Sequence, residues 1–120
     1  MNKANAFFGT LGLAMRSGQV VIGEPKTRML LSGGKAALVL IDAAASANTK
    51  KTVLDKCRFY GCPAVTVAQG CLGTALGRPA CIVAGVLKGG LGELLYKKVV
   101  ENKFNEIQFE LNDGQTQANM

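Results

Sequence analysis

The sequence has no histidine and no tryptophan among its 120 residues. Without an imidazole, the chain lacks the Ser–His–Asp and Cys–His nucleophile schemes, histidine general bases and histidine-ligated metals. None of its apolar runs has the length that a bilayer span requires. Arg16 follows the first apolar stretch too closely for a secretory signal. These absences predict a cytoplasmic protein with no membrane partner.

Cysteine is present four times, at positions 57, 62, 71 and 81, without a C-x-x-C pair or a common zinc spacing. Cys57, Cys62 and Cys81 lie in or beside apolar segments, which favours buried, reduced thiols. Cys71 is the only candidate nucleophile, and without histidine it lacks an activator. The few acids are scattered, whereas carboxylate catalysis needs two of them in one cleft. We therefore expect no enzymatic activity, no metal and no cofactor.

Charge is distributed unevenly along the chain. Residues 1–100 contain thirteen basic and four acidic side chains, a net charge of +9, whereas residues 101–120 carry −3. A body of this charge attracts polyanions, with an affinity that falls as salt rises. Because lysine and arginine also serve solubility, charge alone leaves both interpretations open.

Helical and apolar-strand patterns alternate along the chain. Helices are predicted at residues 4–17, 25–32, from a cap at Ser46 or Asn48 to Gly61, at 70–77 and from 91 onwards, with Leu91, Leu94, Leu95 and Val99 facing inward. Strands are predicted at 19–22, 36–41, 64–68 and 80–86. The run at 36–41 is apolar throughout, as in a strand that helices cover on both faces. This order predicts an α/β protein, a three-layer α/β/α sandwich with a small mixed, largely parallel sheet.

The composition divides the chain into a single domain over residues 1–103 and an acidic, polar tail over residues 104–120. Residues 112–120 are rich in Gln, Asn and Gly, which predicts disorder. Alternatively, the tail adds an edge strand or a partner contact through Phe104, Ile107, Phe109 and Leu111.

Residues 21–28 run from a strand end into a helix N-terminus, where free N–H groups and the helix dipole favour anions. Gly23 allows close backbone approach, and Lys26 and Arg28 add positive charge. This segment therefore has the chemistry of a phosphate-contacting edge. By itself, the segment is better explained as an ordinary strand–helix turn. The sequence shows no obvious exposed aromatic residues for stacking unpaired bases.

Five motifs occur in order over residues 10–98: LGLAMRSG at 11–18, VVIGE at 20–24, KAALVLI at 35–41, ASANTKK at 45–51 with DKC at 55–57 and YGCP at 60–63, and LGTALG at 72–77. Together they resemble the L7Ae/L30e-type ribosomal protein family, most closely its small bacterial, YlxQ-like members. The resemblance implies an L30e-like fold and binding to structured RNA, such as ribosomal RNA or a kink-turn.

The resemblance also implies where RNA binds, namely at the first strand–helix junction and at the loop before the last strand. The corresponding positions here are Gly23, Glu24, Pro25, Lys26, Met29 with Arg28 nearby, and Gly77, Arg78 and Pro79. Pro25, Lys26 and Met29 stand where the kink-turn readers of the family have Asn, Glu and Lys. Lys26 has no acceptor for a base amino group, so phosphate contact is expected in place of base reading.

Two hypotheses follow for the function. The first is a non-catalytic RNA-binding protein with no DNA partner, which contacts structured RNA mainly at the RNA backbone. The contacting edge assigned to it comprises Gly23, Lys26, Arg28 and Arg78, with Arg16 and Lys88 as additions. The alternative is a protein-interaction module of the same fold that has lost kink-turn recognition and binds a protein partner.

Overall fold

In the computed structural model, the described residues are 3–102 and 110–112, with side chains described for residues 6–101. Helices and strands alternate as α1 (Lys3–Arg16), β1 (Val20–Ile22), α2 (Glu24–Ser32), β2 (Ala36–Asp42), α3 (Ala47–Tyr60), β3 (Ala64–Val67), α4 (Cys71–Leu76), β4 (Val83–Leu87), α5 (Gly90–Asn102) and β5 (Glu110–Asn112). The predicted α/β class and the alternating order are confirmed. No helix within these ranges is long and apolar enough to cross a membrane.

The strands form one sheet in the order β1-β4-β2-β3-β5. β2 and β3 are parallel, whereas β4 is antiparallel to both β1 and β2, and β5 is antiparallel to β3. The prediction of a mixed sheet is confirmed. The prediction that the sheet is largely parallel is wrong, because only one of the four neighbouring pairs among the described strands is parallel.

The length of α4 explains this difference. α2 and α3 carry the chain across the sheet, so β1, β2 and β3 point the same way. The six-residue α4 is only about 9 Å long, whereas β2 spans about 20 Å. The chain therefore stays at the end of the sheet where β3 finishes. β4 starts at that end, with Val83 opposite Ile41. An apolar strand pattern does not report this direction, because helices cover both faces of the sheet in either case.

Side chains alternate across β2 and separate two cores. Leu38 and Leu40 pack in the core beneath α1, α4 and α5, whereas Val39 and Ile41 pack in the core beneath α2 and α3. The predicted three-layer arrangement is thereby confirmed. In α5 the predicted inward position of Leu94 is wrong, because this side chain is 41% exposed and Leu95 and Val99 form the buried stripe.

The ends of α3 show why the helix has these bounds. Ser46 is the cap, since its Oγ accepts the Thr49 N–H at 3.1 Å. At the other end, Gly61 adopts the left-handed conformation at φ 67°. The Cys62 N–H donates to the Cys57 carbonyl at 2.8 Å, which closes a Schellman turn. Cys57, Cys62 and Cys81 are buried, as predicted.

The tail contributes one described element, β5, which pairs with β3 at the sheet edge and places Leu111 opposite Val65. This pairing agrees with the edge-strand alternative, and it puts Asn112 in a strand where disorder was predicted. Phe104, Ile107, Phe109 and residues 113–120 lie outside the described residues. The division into a domain over residues 1–103 and a tail over residues 104–120 stays a prediction.

Two helical glycines should respond to alanine with opposite signs. A Cβ at Gly9 of α1 meets nothing within 4 Å, so Gly9→Ala should stabilise the fold by about 0.5–1 kcal/mol through helix propensity. A Cβ at Gly73 of α4 would lie 2.6 Å from the Arg78 carbonyl oxygen, so Gly73→Ala should destabilise it by about 1–3 kcal/mol. Urea unfolding midpoints measure both changes. A Gly73→Ala variant as stable as the parent would contradict this close packing.

Candidate nucleic-acid interface

The junction between β1 and α2 is held by the backbone of Gly23. Its φ of 97° lies in the left-handed region, which a glycine adopts without strain. The Gly23 N–H donates to the Val83 carbonyl at 2.9 Å, and its carbonyl accepts the Thr27 N–H at 3.1 Å. Pro25 stands in the first turn, where its missing N–H costs no helical hydrogen bond. The junction is thus fixed to the start of β4.

The loop of residues 77–82 is fixed in a similar way against α4. The Arg78 N–H donates to the Gly73 carbonyl at 2.9 Å, and the Cys81 N–H donates to the Arg78 carbonyl at 2.8 Å. Gly73 permits this contact, since any Cβ there would collide with the Arg78 and Pro79 carbonyls. The loop backbone therefore has a defined path over the end of the sheet.

Asp42 connects these parts and was missed by the sequence reasoning, which treated it as one of several scattered acids. Its carboxylate, only 2% exposed, accepts the N–H groups of Ala44 and Gly70 at 2.9 Å and of Leu72 at 3.3 Å. Its own N–H donates to the Ile82 carbonyl at 2.9 Å. The signal that could have found it is an acid that ends a fully apolar strand, where a buried carboxylate needs backbone donors.

A cavity of about 450 Å³ opens where the two segments meet. Its lining comprises Ile22, Gly23, Glu24, Thr49, Arg78, Pro79, Ala80, Cys81, Ile82 and Val83. The structure thus brings together four of the predicted site residues, Gly23, Glu24, Arg78 and Pro79. Sequence reasoning missed Thr49, because only the packed sheet brings the start of α3 to this edge.

The other predicted site residues lie outside this lining. Pro25, Lys26, Arg28 and Met29 are exposed on α2, where the Met29 side chain is 73% exposed. Gly77 is the exposed cap that ends α4. We call residues 23–29 together with residues 77–82 the junction surface.

Electrostatics differ among the cations of the junction surface. Arg28 shares its charge with Glu24, because the two groups approach to 3.7 Å one helical turn apart. For Lys26 and Arg78, no ion pair within 4 Å occurs among residues 6–101. Lys26 and Arg78 are therefore the cations of this surface most available to an external anion.

Arg16 and Lys88 do not belong to the junction surface, so their assignment to it is wrong. Arg16 ends the helix that precedes β1, and Lys88 directly follows β4. Val20 pairs with Val86 at the end of the strands opposite the junction surface. Arg16 and Lys88 therefore lie at that opposite end. The antiparallel direction of β4, which sequence reasoning missed, is what puts Lys88 there.

The cavity at the junction surface offers little for catalysis. Glu24 is its only carboxylate, and the Cys81 thiol donates a hydrogen bond to the Val83 carbonyl at 3.4 Å. Burial raises the pKa of this thiol, so it stays protonated at neutral pH. Among the described residues, no group of three or more acidic or thiol side chains could hold a metal ion.

Exposed aromatic residues are present, which makes the expectation of their absence wrong. Phe59 is 79% exposed at the end of α3, and Tyr60 beside it is half-exposed. Their rings meet edge to face with centroids 4.9 Å apart. Both residues follow Cys57, the last buried residue of α3. Tyr60 also borders a second cavity, at the end of the sheet opposite the junction surface.

A sequence profile of the ribosomal protein L7Ae/L30e/S12e/Gadd45 family matches residues 5–96. The chain therefore belongs to this family, as its motifs predicted. It is similar to the RNA-binding protein YlxQ of Bacillus subtilis, with 38% identity over 90 residues that cover 74% of this chain and 90% of that protein. The predicted proximity to YlxQ-like members is thereby confirmed.

Two solved structures share the fold. A protein of unknown function from Bacillus halodurans C superposes with a TM-score of 0.73 at 33% identity, covering 78% of this chain and 96% of that one. The Giardia lamblia 15.5kD RNA binding protein superposes with a TM-score of 0.67 at 23% identity, covering 84% of this chain and 88% of that one. The L30e-like α/β fold is thus shown.

Removing the Asp42 charge should lower the stability of the fold, including the turns that position the junction surface. In Asp42→Asn, an amide nitrogen replaces one of the two acceptor oxygens, so part of the N–H set from Ala44, Gly70 and Leu72 loses its partner. We expect a loss of about 1–3 kcal/mol, measured as a lower thermal midpoint. Asp55→Asn is the matched control, because its exposed carboxylate binds only Lys51 and Arg58 on its own helix. Equal midpoints for the two variants would show that the Asp42 bonds contribute nothing special.

Proposed function

We propose that this protein is a non-catalytic RNA-binding protein that contacts structured RNA, such as ribosomal RNA, through the junction surface. The observation that carries this proposal is the convergence of Gly23 and Glu24 with Arg78 and Pro79 around one open cavity. The names of the B. subtilis relative and the Giardia structure, both RNA-binding proteins, support it.

The chemistry of the junction surface favours contact with the RNA backbone. Lys26 and Arg78 carry exposed cationic groups from two chain segments, and cations of this kind bind phosphate oxygens and fix the register of a nucleic acid. Arg28 contributes less, since Glu24 competes with phosphate for it. Pro25 has no polar side chain, and Met29 presents only a thioether. Recognition therefore depends on RNA shape and phosphate positions, including those of a kink-turn, with little base reading on α2.

The cavity between the two segments adds room for one extruded nucleotide. Its volume of about 450 Å³ falls within the range of ligand sites, and Ile22, Pro79 and Ile82 give it apolar walls. An unstacked base can be buried against such walls while the phosphates on either side meet Lys26 and Arg78. This arrangement favours folded RNA with a bulge or a loop over a regular duplex.

Neutralising the two free cations tests this site. For a structured ribosomal RNA fragment, Lys26→Gln and Arg78→Gln should each reduce the slope of log K against log salt by about one unit. Each loss corresponds to an affinity about eightfold lower at 0.1 M salt. Filter binding over a salt series measures both quantities. Lys97→Gln on α5, in the layer beyond the sheet, is the matched control and should leave the slope unchanged.

Two results would count against the proposal. If Lys26→Gln/Arg78→Gln binds RNA with the parental affinity and slope, the junction surface is not the binding site. If the protein isolated from its own cells carries no RNA but retains a protein partner after nuclease treatment, the protein-interaction module is the better description of its function.

A further inference from the structure

A second cavity, of about 400 Å³, lies at the end of the strands opposite the junction surface. It opens where the ends of α2 and α3 meet the first turns of α5, and its lining includes Ala36, Tyr60, Cys62, Lys88, Glu93 and Tyr96. The seven residues of β2 place it about 20 Å from Asp42. No residue lines both cavities, so the two are separate sites.

Aromatic rings form one part of the wall. Tyr60 is half-exposed and Tyr96 is partly buried, and they are the only two tyrosines of the chain. The edge-to-face contact with Phe59 restrains the Tyr60 ring. Aromatic faces of this kind stack nucleobases.

Charged groups of both signs form another part of the wall. Lys88 and Glu93 are exposed, and neither forms an ion pair within 4 Å with another residue of the range 6–101. An ammonium group binds phosphate, whereas a carboxylate accepts hydrogen bonds from the N–H groups of a base. An acidic peptide would meet repulsion from Glu93, and a purely apolar ligand would leave both charges unused.

The buried thiol of Cys62 also lines the cavity. Cys62 is 6% exposed, and its pKa is lowered first by a hydrogen bond from the Cys57 thiol and also by the charge of Lys88.

We propose that this second cavity binds a guanine nucleotide, either free or as an unpaired residue of RNA. The base stacks on Tyr60, its N1–H and N2–H groups donate to the Glu93 carboxylate, and its phosphate binds Lys88. This pairing distinguishes guanine from adenine, which presents no such pair of donors on one edge. The inference does not depend on the junction surface.

The two tyrosines make the site directly observable. In the full chain labelled with ¹³C-tyrosine, the ring signals belong to Tyr60 and Tyr96 alone. Titration with GMP at up to about 1 mM should shift both rings, whereas AMP should bind at least about tenfold more weakly and inorganic phosphate should leave the Tyr60 ring unshifted. A uridine hexamer with one central guanosine identifies the source. Tighter binding of this hexamer than of GMP assigns the site to RNA, and the reverse order assigns it to the free nucleotide.

Variants separate the roles of the wall residues. Glu93→Gln should raise the Kd for GMP about tenfold and leave that for AMP unchanged, because only guanine uses the carboxylate. Lys88→Gln should weaken GMP and AMP alike. Glu101→Gln, the same change on the same helix but outside the cavity, is the matched control. Unchanged tyrosine signals before ligand addition verify that each variant is folded.

Three outcomes would overturn the inference. The first is an absence of tyrosine shifts with both GMP and the hexamer. The second is an equal shift of both rings by inorganic phosphate, which would make the site one for simple anions. The third is parental GMP affinity in Glu93→Gln. Junction-surface variants such as Lys26→Gln leave this cavity intact and should keep the parental affinity for GMP. The GMP titration therefore tests the second cavity independently of the RNA-binding test of the junction surface.

Discussion

The carboxylate of Asp42 is the contact on which the rest of this structure depends. It ends the central strand β2 in a buried position, where an ionised group is tolerated only with hydrogen-bond donors around it. Three backbone N–H groups supply them, two from the start of α4 and one from the turn after β2. One side chain thereby fixes the beginning of the short helix that leads into the loop of residues 77–82. The position of Arg78 at this end of the sheet therefore depends on hydrogen bonds to Gly70 and Leu72, eight and six residues earlier in the chain.

Apart from the Asp42 carboxylate, main-chain groups position the junction surface. Gly23 binds the start of β4, and Gly73 lets the Arg78 and Pro79 carbonyls approach α4 more closely than any larger residue would permit. Side chains on this scaffold can change while the scaffold persists. Pro25, Lys26 and Met29 are side chains of this kind, because none of the three is buried.

Local patterns were sufficient for the order of elements, the three layers and the end of α3 at Gly61, whereas they left its first cap open between Ser46 and Asn48. They were not sufficient for the direction of β4, which is set by how far the six residues of α4 carry the chain. That single error also misplaced Lys88, since the edge on which a residue lies depends on the direction of its strand. The prediction that Gly23 and Arg78 belong to one site came from the family resemblance. Asp42, Thr49 and the second cavity require the packed sheet, in which residues distant in sequence become neighbours.

The position of β4 in the sheet also constrains how the chain can assemble during synthesis. Among the described strands, β1 pairs only with β4. Val20 therefore cannot form its strand pair until Val86 has been synthesised. Until residues 83–87 are synthesised, β2 and β3 can pair through α3, but β1 has no partner among the described strands. The emergence of residues 83–87 then fills the gap between β1 and β2, which gives β1 its neighbour and gives β2 its second one. Closure of the sheet is thus a late, long-range event, and nascent chains that stop before it leave the N-terminal strand open to unwanted pairing.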